Sequence, residues 1–432
     1  MTAADTHRSI NAVWRIESAK IIGTLARMLR DVGLAEELAQ DALLAALEQW
    51  PARGIPDNPG AWLTATAKHR AIDLLRQRAL HARNEAQISH ELDARHQRAA
   101  DELAQAVDAA LDDEVGDDLL RLMFTACHPV LAPDTRVALT LRLLGGLTTG
   151  EIARSFLVPE ATVAQRIVRA KRTLAAARVP FEVPRKDELM ARLASVLEVI
   201  YLVFNEGYAA SAGDDWMRPA LCEEALRLGR ILAELVPSEP EVHGLVALME
   251  IQASRAAARV DAAGEPVLLL DQNRARWDPL LIRRGLAALA RAEALGGAYG
   301  PYALQAAIAA CHAKARSAAA TDWMRIAALY DALAQLAPSP IVELNRAVAL
   351  SMAFGPAVGL ERVDALRAEP QLQAYHLLPS VRGDLLTRLG RTSEACVEFK
   401  RAAALTRNAR ERKLLLRRAR ACSASANPAG PG

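Results

Sequence analysis

Thr162, Gln165, Arg166, Arg169 and Arg172 recur at intervals of three and four residues, which places them on one face of a helix. Their amide and guanidinium groups suit base edges in a major groove, and the more distal arginines suit phosphate oxygens. Such a face needs support from behind. Val163, Ile167, Ala170 and Leu174 supply an apolar stripe on the same helix, and Ile152, Ala153 and Phe156 supply another on a shorter helix before it. Pro159 sets the start of the longer helix, because its φ is already that of a first turn. The segment from Leu147 to Leu174 therefore has the pattern of a helix-turn-helix ending in a basic reader. An amphipathic hairpin with a solvated basic face has the same pattern. The turn from Phe156 to Pro159 contains no glycine, so it must close without a residue that favours positive φ.

A second constellation lies upstream. Leu34, Leu38, Ala42, Ala45, Ala46 and Gln49 form the inner stripe of a helix that carries Glu36, Glu37, Gln40, Asp41 and Glu48 on its other faces. An acidic face of this kind can dock a basic partner or simply be solvated. The next helix reverses sign, with Lys68, His69, Arg70, Arg76 and Arg78 following Trp62. Cations near a large ring suit a strand whose bases are being unpaired: stacking on an aromatic side chain contributes roughly 1–3 kcal/mol per base, and phosphate neutralisation adds salt-dependent affinity. A tryptophan at this place also fits a core.

Residues 35–47, Trp50, residues 55–63 and residues 67–78 resemble region two of the extracytoplasmic-function sigma factors of the sigma-70 family, and the helix-turn-helix resembles their region four. The two blocks occur in the family's order and at its spacing. The resemblance implies an all-α fold with region two at 8–79, an acidic linker at 80–117, region four at 118–178 and a helical-repeat domain at 186–422. It implies core RNA polymerase and promoter DNA as partners. Glu36, Glu37, Gln40 and Asp41 would meet the clamp helices of the polymerase's large catalytic subunit. Asp57, Asn58, Trp62, His69, Arg70 and Arg76 would meet the promoter element near minus ten, and Thr162, Gln165, Arg166, Arg169 and Arg172 the element near minus thirty-five. His69 stands where many family members have Asn.

Charge is distributed accordingly. The formal net charge is only +2, so affinity for nucleic acid has to come from clustering. Between Leu80 and Asp118 eleven acidic side chains face three arginines, whereas between Glu160 and Lys186 seven bases face two acids. The acidic stretch reads as a linker, and the resemblance implies a path through the polymerase's RNA exit, where acids can mimic nucleic acid.

A chain of 432 residues suggests about three domains on the usual size range. With 52% hydrophobic and 4% aromatic residues, and Ala and Leu dominant, it reads as helical. Cys127, Cys222, Cys311, Cys396 and Cys422 are far apart and form no CxxC pair, which suggests buried thiols in a reducing compartment and no metal. The N-terminal residues lack a signal peptide's apolar core, and the most apolar later helix, from Leu189 to Phe204, is interrupted by Arg192 and Glu198. A cytoplasmic protein with no membrane attachment is expected. No phosphate loop, HExxH, GxSxG or GxGxxG is present, so neither an enzymatic site nor a cofactor is expected.

Beyond Pro184, helical stripes alternate with Pro and Gly, including Pro237, Pro240, Gly296, Gly297, Pro338, Pro340, Gly355 and Gly390. Residues 389–402 are similar to a tetratricopeptide repeat, and Gly355 precedes Gly390 by nearly the repeat's period of about 34. Paired short helices stacked as a solenoid follow. Residues 204–208, 239–249, 300–310, 321–323 and 344–347 also resemble the C-terminal extension of one sigma-factor subgroup, which implies regulation through that extension by an unidentified ligand or protein. Each block equally suits helix capping and packing: Asn205 and Gly207 fit a helix end, Thr321 and Asp322 a helix start. A stand-alone helix-turn-helix regulator and a repeat scaffold are the alternatives to a sigma factor, and residues 35–78 discriminate against both.

Overall fold

The computed structural model describes residues 3–85, 115–156 and 158–426, so most of the acidic linker and Leu157 of the turn lie outside the described residues. The chain divides into two compact units, Met1–Ile200 and Tyr201–Gly432. Both are helical, as expected.

The first unit contains α1 (Ala3–Leu29), α2 (Val32–Arg53), α3 (Pro59–Glu85), α4 (Val115–Ala126), α5 (Pro133–Leu143), α6 (Thr149–Phe156), α7 (Glu160–Ala176) and the first part of α8 (Lys186–Tyr208). Helix α1 is central because Ile10, Trp14, Ile21, Ile22 and Leu25 are all buried, and α2, α3 and α4 pack around it. Asp31 caps α2 by accepting from Leu34 N at 3.0 Å, and Asn58 caps α3 by accepting from Ala61 N at 3.0 Å. The inner stripe of α2 keeps the expected Ala42, Ala45 and Ala46 but takes Ala35, Ala39 and Trp50 in place of Leu34, Leu38 and Gln49. Ala35, Glu36, Ala39, Ala42, Ala45, Ala46 and Trp50 are buried, while Leu34 and Leu38 are half-buried. The buried positions are mostly small alanines, which suit a face packed against α1.

Helix α6 begins with a reciprocal cap. Thr148 Oγ1 accepts from Glu151 N at 3.2 Å, and Thr148 N donates to Glu151 Oε2 at 2.8 Å. Burial works against the charge of Glu151, but the hydrogen bonds from Thr148 and the nearby Arg15 guanidinium outweigh it and hold the pKa below the usual carboxylate value. Helix α7 begins at Glu160 with Pro159 before it, and Val163, Ile167, Ala170 and Leu174 are its buried stripe, as the spacing predicts. The non-glycine residues with positive φ among the described residues are Arg30 and Arg178, both outside the turn between α6 and α7. The first part of α8 completes this core: Leu193, Val196 and Leu197 are buried, Arg192 donates to Phe124 O at 2.9 Å, and Ser195 Oγ donates to Cys127 O.

The second unit continues from the end of α8 through α9 (Pro219–Leu235), α10 (Pro240–Ala253), α11 (Pro279–Ala294), α12 (Pro301–Lys314), α13 (Trp323–Leu336), α14 (Pro340–Phe354), α15 (Pro356–Ala365), α16 (Leu377–Arg388), α17 (Thr392–Leu405) and α18 (Ala409–Ala426). Sequential helices pack against one another around apolar clusters such as Leu344, Leu360, Leu386 and Phe399. Gly355 and Gly390, at φ +105° and +76°, lie in the breaks between α14 and α15 and between α16 and α17, where a positive φ favours glycine. Two of the sequence blocks meet where Glu241 of α10 accepts from Tyr302 N at 2.8 Å and Ala303 N at 3.1 Å at the start of α12. A Cβ at Gly300 would fall 2.0 Å from Glu241 Oε1, so a side chain there would displace the carboxylate from the start of α12. Asp322 caps α13 through Arg325 N at 2.9 Å. A short parallel pair, β1 (Ala212–Gly213) with β2 (Arg407–Asn408), ties the unit's beginning to its last helix, and Asn408 Nδ2 donates to Asp215 O at 2.8 Å.

Cys127, Cys311, Cys396 and Cys422 are buried thiols as expected, whereas Cys222 is only half-buried. No helix among the described residues is long and apolar enough to cross a membrane.

Candidate nucleic-acid and polymerase interface

Helix α7 presents Gln165, Arg169 and Arg172 to solvent opposite its buried stripe, with Thr162 half-buried beside them. Arg169 and Arg172 form no ion pair among the described residues. Arg166 differs, because its guanidinium is held 2.9 Å from Asp134 at the start of α5. The pair is open to water on the Asp134 side, so it costs little to exchange for another acceptor. A row of cationic and amide donors on a rigid helix, with its arginine ends free, is suited to phosphate and base-edge contact.

On α3 and the loop before it, Asp57, Asn58, His69 and Arg76 are exposed. Asn58 spends its side-chain oxygen on the helix cap, and Arg76 lies 3.8 Å from Asp73. Trp62 is half-buried, edge-to-face with the buried Trp50 at a centroid distance of 5.4 Å. One edge of Trp62 thus belongs to the core and the rest reaches the surface. Arg70 approaches Asp41 of α2 at 3.3 Å, so the expected promoter and polymerase residues adjoin.

The four acidic-face residues of α2 do not stay together. Glu37 is exposed and Gln40 and Asp41 are half-exposed, but Glu36 is only 5% exposed. Its carboxylate is taken by Arg142 of α5 at 2.8 Å and by Lys171 of α7. Sequence placed Glu36 on an outer surface; with its charge matched internally by two cations, it is covered in this arrangement. Two further ion pairs join the region-two helices to the region-four helices: Arg15 with Glu151 at 2.6 Å and Arg27 with Asp118 at 3.0 Å. Burial pushes the Asp118 carboxyl above its usual range, with Arg27 and Arg121 pulling the other way without cancelling it. Sequence reasoning missed Arg142, Lys171 and Asp118, because nothing local marks a partner 106 or 135 residues away.

Comparison with known proteins matches both parts of this region by sequence. Residues 16–80 match the family Sigma-70 region 2, and residues 121–174 match Sigma-70, region 4. Residues 192–293 match a family of unknown function, DUF6596. The chain is 44% identical over 391 residues to the uncharacterized protein R00370 of Rhizobium meliloti, covering 90% of each. It is 27% identical over 189 residues to the probable ECF RNA polymerase sigma factor SigI of Mycobacterium tuberculosis, covering 43% of this chain and 61% of that one. It is 29% identical over 160 residues to the ECF RNA polymerase sigma factor SigK of Mycobacterium ulcerans, covering 36% of this chain and 78% of that one. No solved structure matches. The chain belongs to the sigma-70 family, among its extracytoplasmic-function members. As such it is an alternative sigma factor, a subunit that joins core RNA polymerase and directs transcription initiation at promoter DNA.

Proposed function

We infer that the division of labour within this sigma factor follows its exposed faces. Helix α7 reads the element near minus thirty-five, with Gln165 and Arg166 at base edges and Thr162, Arg169 and Arg172 along the backbone. Glu37, Gln40 and Asp41 of α2 dock on the clamp helices of core polymerase. Asp57, Asn58, Trp62, His69, Arg70 and Arg76 hold the opened strand near minus ten. The chain performs no reaction of its own, works in the cytoplasm with the polymerase, and is regulated through its second unit. The observation that carries the reading is the α7 face, whose Arg169 and Arg172, without an ion pair among the described residues, stand opposite a buried stripe in a region-four match.

Gel filtration with core enzyme followed by run-off transcription tests it. Glu37→Lys with Asp41→Lys places like charge against a basic partner, which costs several kcal/mol at an interface, so holoenzyme should be lost while duplex binding persists. Specific duplex binding with no polymerase association would replace the reading by a stand-alone regulator. To test the second unit, the chain is cut after Ala209 and not after Arg185, because Arg192, Ser195 and Leu197 belong to the first unit's core. Equal transcript yield from cut and full-length chains would remove the second unit from regulation.

A further inference from the structure

We propose that the second unit holds a small anionic ligand, bearing a phosphate or carboxylate group, at Arg255, Arg259 and Arg274. The three arginines flank the turns that follow α10 and precede α11. They are threaded through aromatic rings: the guanidinium carbon of Arg259 lies 3.5 Å from the Tyr208 ring centre and 5.6 Å from that of Trp216. Arg255 shares the Tyr208 ring at 5.7 Å and reaches Trp277 at 5.8 Å, and Arg274 lies over Trp277 at 4.8 Å. Arg259 is only 7% exposed, while Arg255, Arg274, Tyr208 and Trp216 are half-buried, so the cluster reaches solvent.

No carboxylate among the described residues pairs with any of the three arginines. Their hydrogen bonds go to neutral acceptors: Arg259 to Tyr208 O, Arg255 to Tyr208 Oη and Gln252 Oε1, and Arg274 to His312 O, Ala315 O and Thr321 Oγ1. Burial and the neighbouring Arg255 charge both depress the pKa of Arg259 and of Arg274. Buried guanidinium groups are ordinarily paired, and elsewhere in this unit Arg218, Arg230 and Arg382 meet Glu206, Glu250 and Glu398. Cation–π contact offsets only part of the lost hydration.

A second observation points the same way. The buried donors Arg255 Nε, Trp216 Nε1 and Trp277 Nε1 have no hydrogen-bond acceptor, and neither does His312 Nδ1 have a partner, beside the same arginines. Trp277 is 5% exposed and His312 8%. Surplus positive charge together with surplus donors defines the missing group as an acceptor carrying negative charge. The three arginines lie inside the DUF6596 match, outside both sigma regions. The inference does not depend on how the chain meets polymerase or promoter.

The experiment is isothermal titration of the full chain, without DNA or polymerase, with pyrophosphate and separately with citrate at matched ionic strength against sodium chloride. At least one should bind saturably, and which one binds separates phosphate from carboxylate chemistry. Arg255→Gln should weaken that binding about ten- to a hundredfold, and Trp277→Phe, which keeps the ring and removes one donor, about two- to tenfold. Arg259→Gln serves as a third variant, and if it does not fold the other two decide. Failure of both anions at concentrations on the order of 10 mM, the weak end of the useful affinity range, overturns the proposal. Undiminished binding by Arg255→Gln and Trp277→Phe also overturns it, because the anion would then sit elsewhere, such as on α7.

Discussion

Two clusters, one in each unit, keep charge out of water in opposite ways. In the first, one buried carboxylate, Glu36, is matched by Arg142 and Lys171. In the second, Arg255, Arg259 and Arg274 share three aromatic rings and, among the described residues, no carboxylate. A closed pair is complete within the fold, and removing either side exposes the cost of the other. An open cluster is incomplete, and it answers to whatever supplies the missing charge. The difference separates side chains that hold the protein together from side chains held ready for a partner, and it does so with the same kinds of side chain.

The largest expected effect comes from breaking the closed pair. Glu36→Ala leaves two mostly buried cations without their acid, which should cost the first unit about 3–5 kcal/mol in urea unfolding. Replacing Arg142 and Lys171 by Met in the same chain should recover most of that loss. Arg255→Gln should leave unfolding of the ligand-free second unit unchanged or slightly improved, because it relieves repulsion. Equal losses from Glu36→Ala and Arg255→Gln would erase the distinction between the two sites.

The next effect is pH dependence. Burial, with Arg255 and Arg274 as the charged groups facing it, holds the His312 imidazole down at about 4, below its ordinary value of 6.5. The folded state therefore keeps His312 neutral while the unfolded chain takes up a proton below about 6.5. Its contribution is fully present above that pH, declines as pH falls, and is gone below about 4, a span worth at most about 3 kcal/mol. His312→Asn should flatten this part of the profile. His128 in the first unit is also held at about 4, by burial and by Arg192, and its share should survive that substitution. A bound anion should raise the His312 value by neutralising the two arginines, visible in the imidazole's NMR titration; an unmoved titration with anion bound would place the anion away from the cluster.

Much of this was legible in the sequence, and the remainder has a physical reason. The buried stripe of α7 and the reciprocal cap between Thr148 and Glu151 depend on spacing within a dozen residues, so periodicity and capping chemistry suffice. Part of the α2 stripe differs, with Ala35 and Ala39 buried in place of Leu34 and Leu38, a choice made by the helix packed against it. Glu36 was expected among the acids of an outer face, since its partners are distant in the chain. Arg255, Arg259 and Arg274 fall in turns with no shared period, and only the fold brings them to shared rings.

A smaller effect distinguishes outward from inward use within one helix. Arg166→Ala should cost roughly 1–3 kcal/mol of discrimination at one position of the upstream promoter element, if its guanidinium leaves Asp134 for a base. Asp134→Ala should tighten binding slightly by removing the competitor. Unchanged promoter ranking with Arg166→Ala in a competition assay would return Arg166 to a purely structural pairing with Asp134.

The smallest effect is the one between neighbours, Lys171 and Arg172. Lys171 turns inward to Glu36, whereas Arg172 is exposed and without an ion pair among the described residues. A phosphate contact is a counterion released, so Arg172→Ala should weaken all promoter fragments alike and lower the slope of log affinity against log salt by about 0.9. It should leave unfolding unchanged, because no internal partner loses its charge. Lys171→Ala should lower stability through Glu36, which is left with Arg142 alone, and should leave the salt slope intact wherever the unit remains folded. If Lys171→Ala instead reduces the slope and Arg172→Ala does not, the two side chains have exchanged roles on DNA, and Glu36 is released when α7 binds.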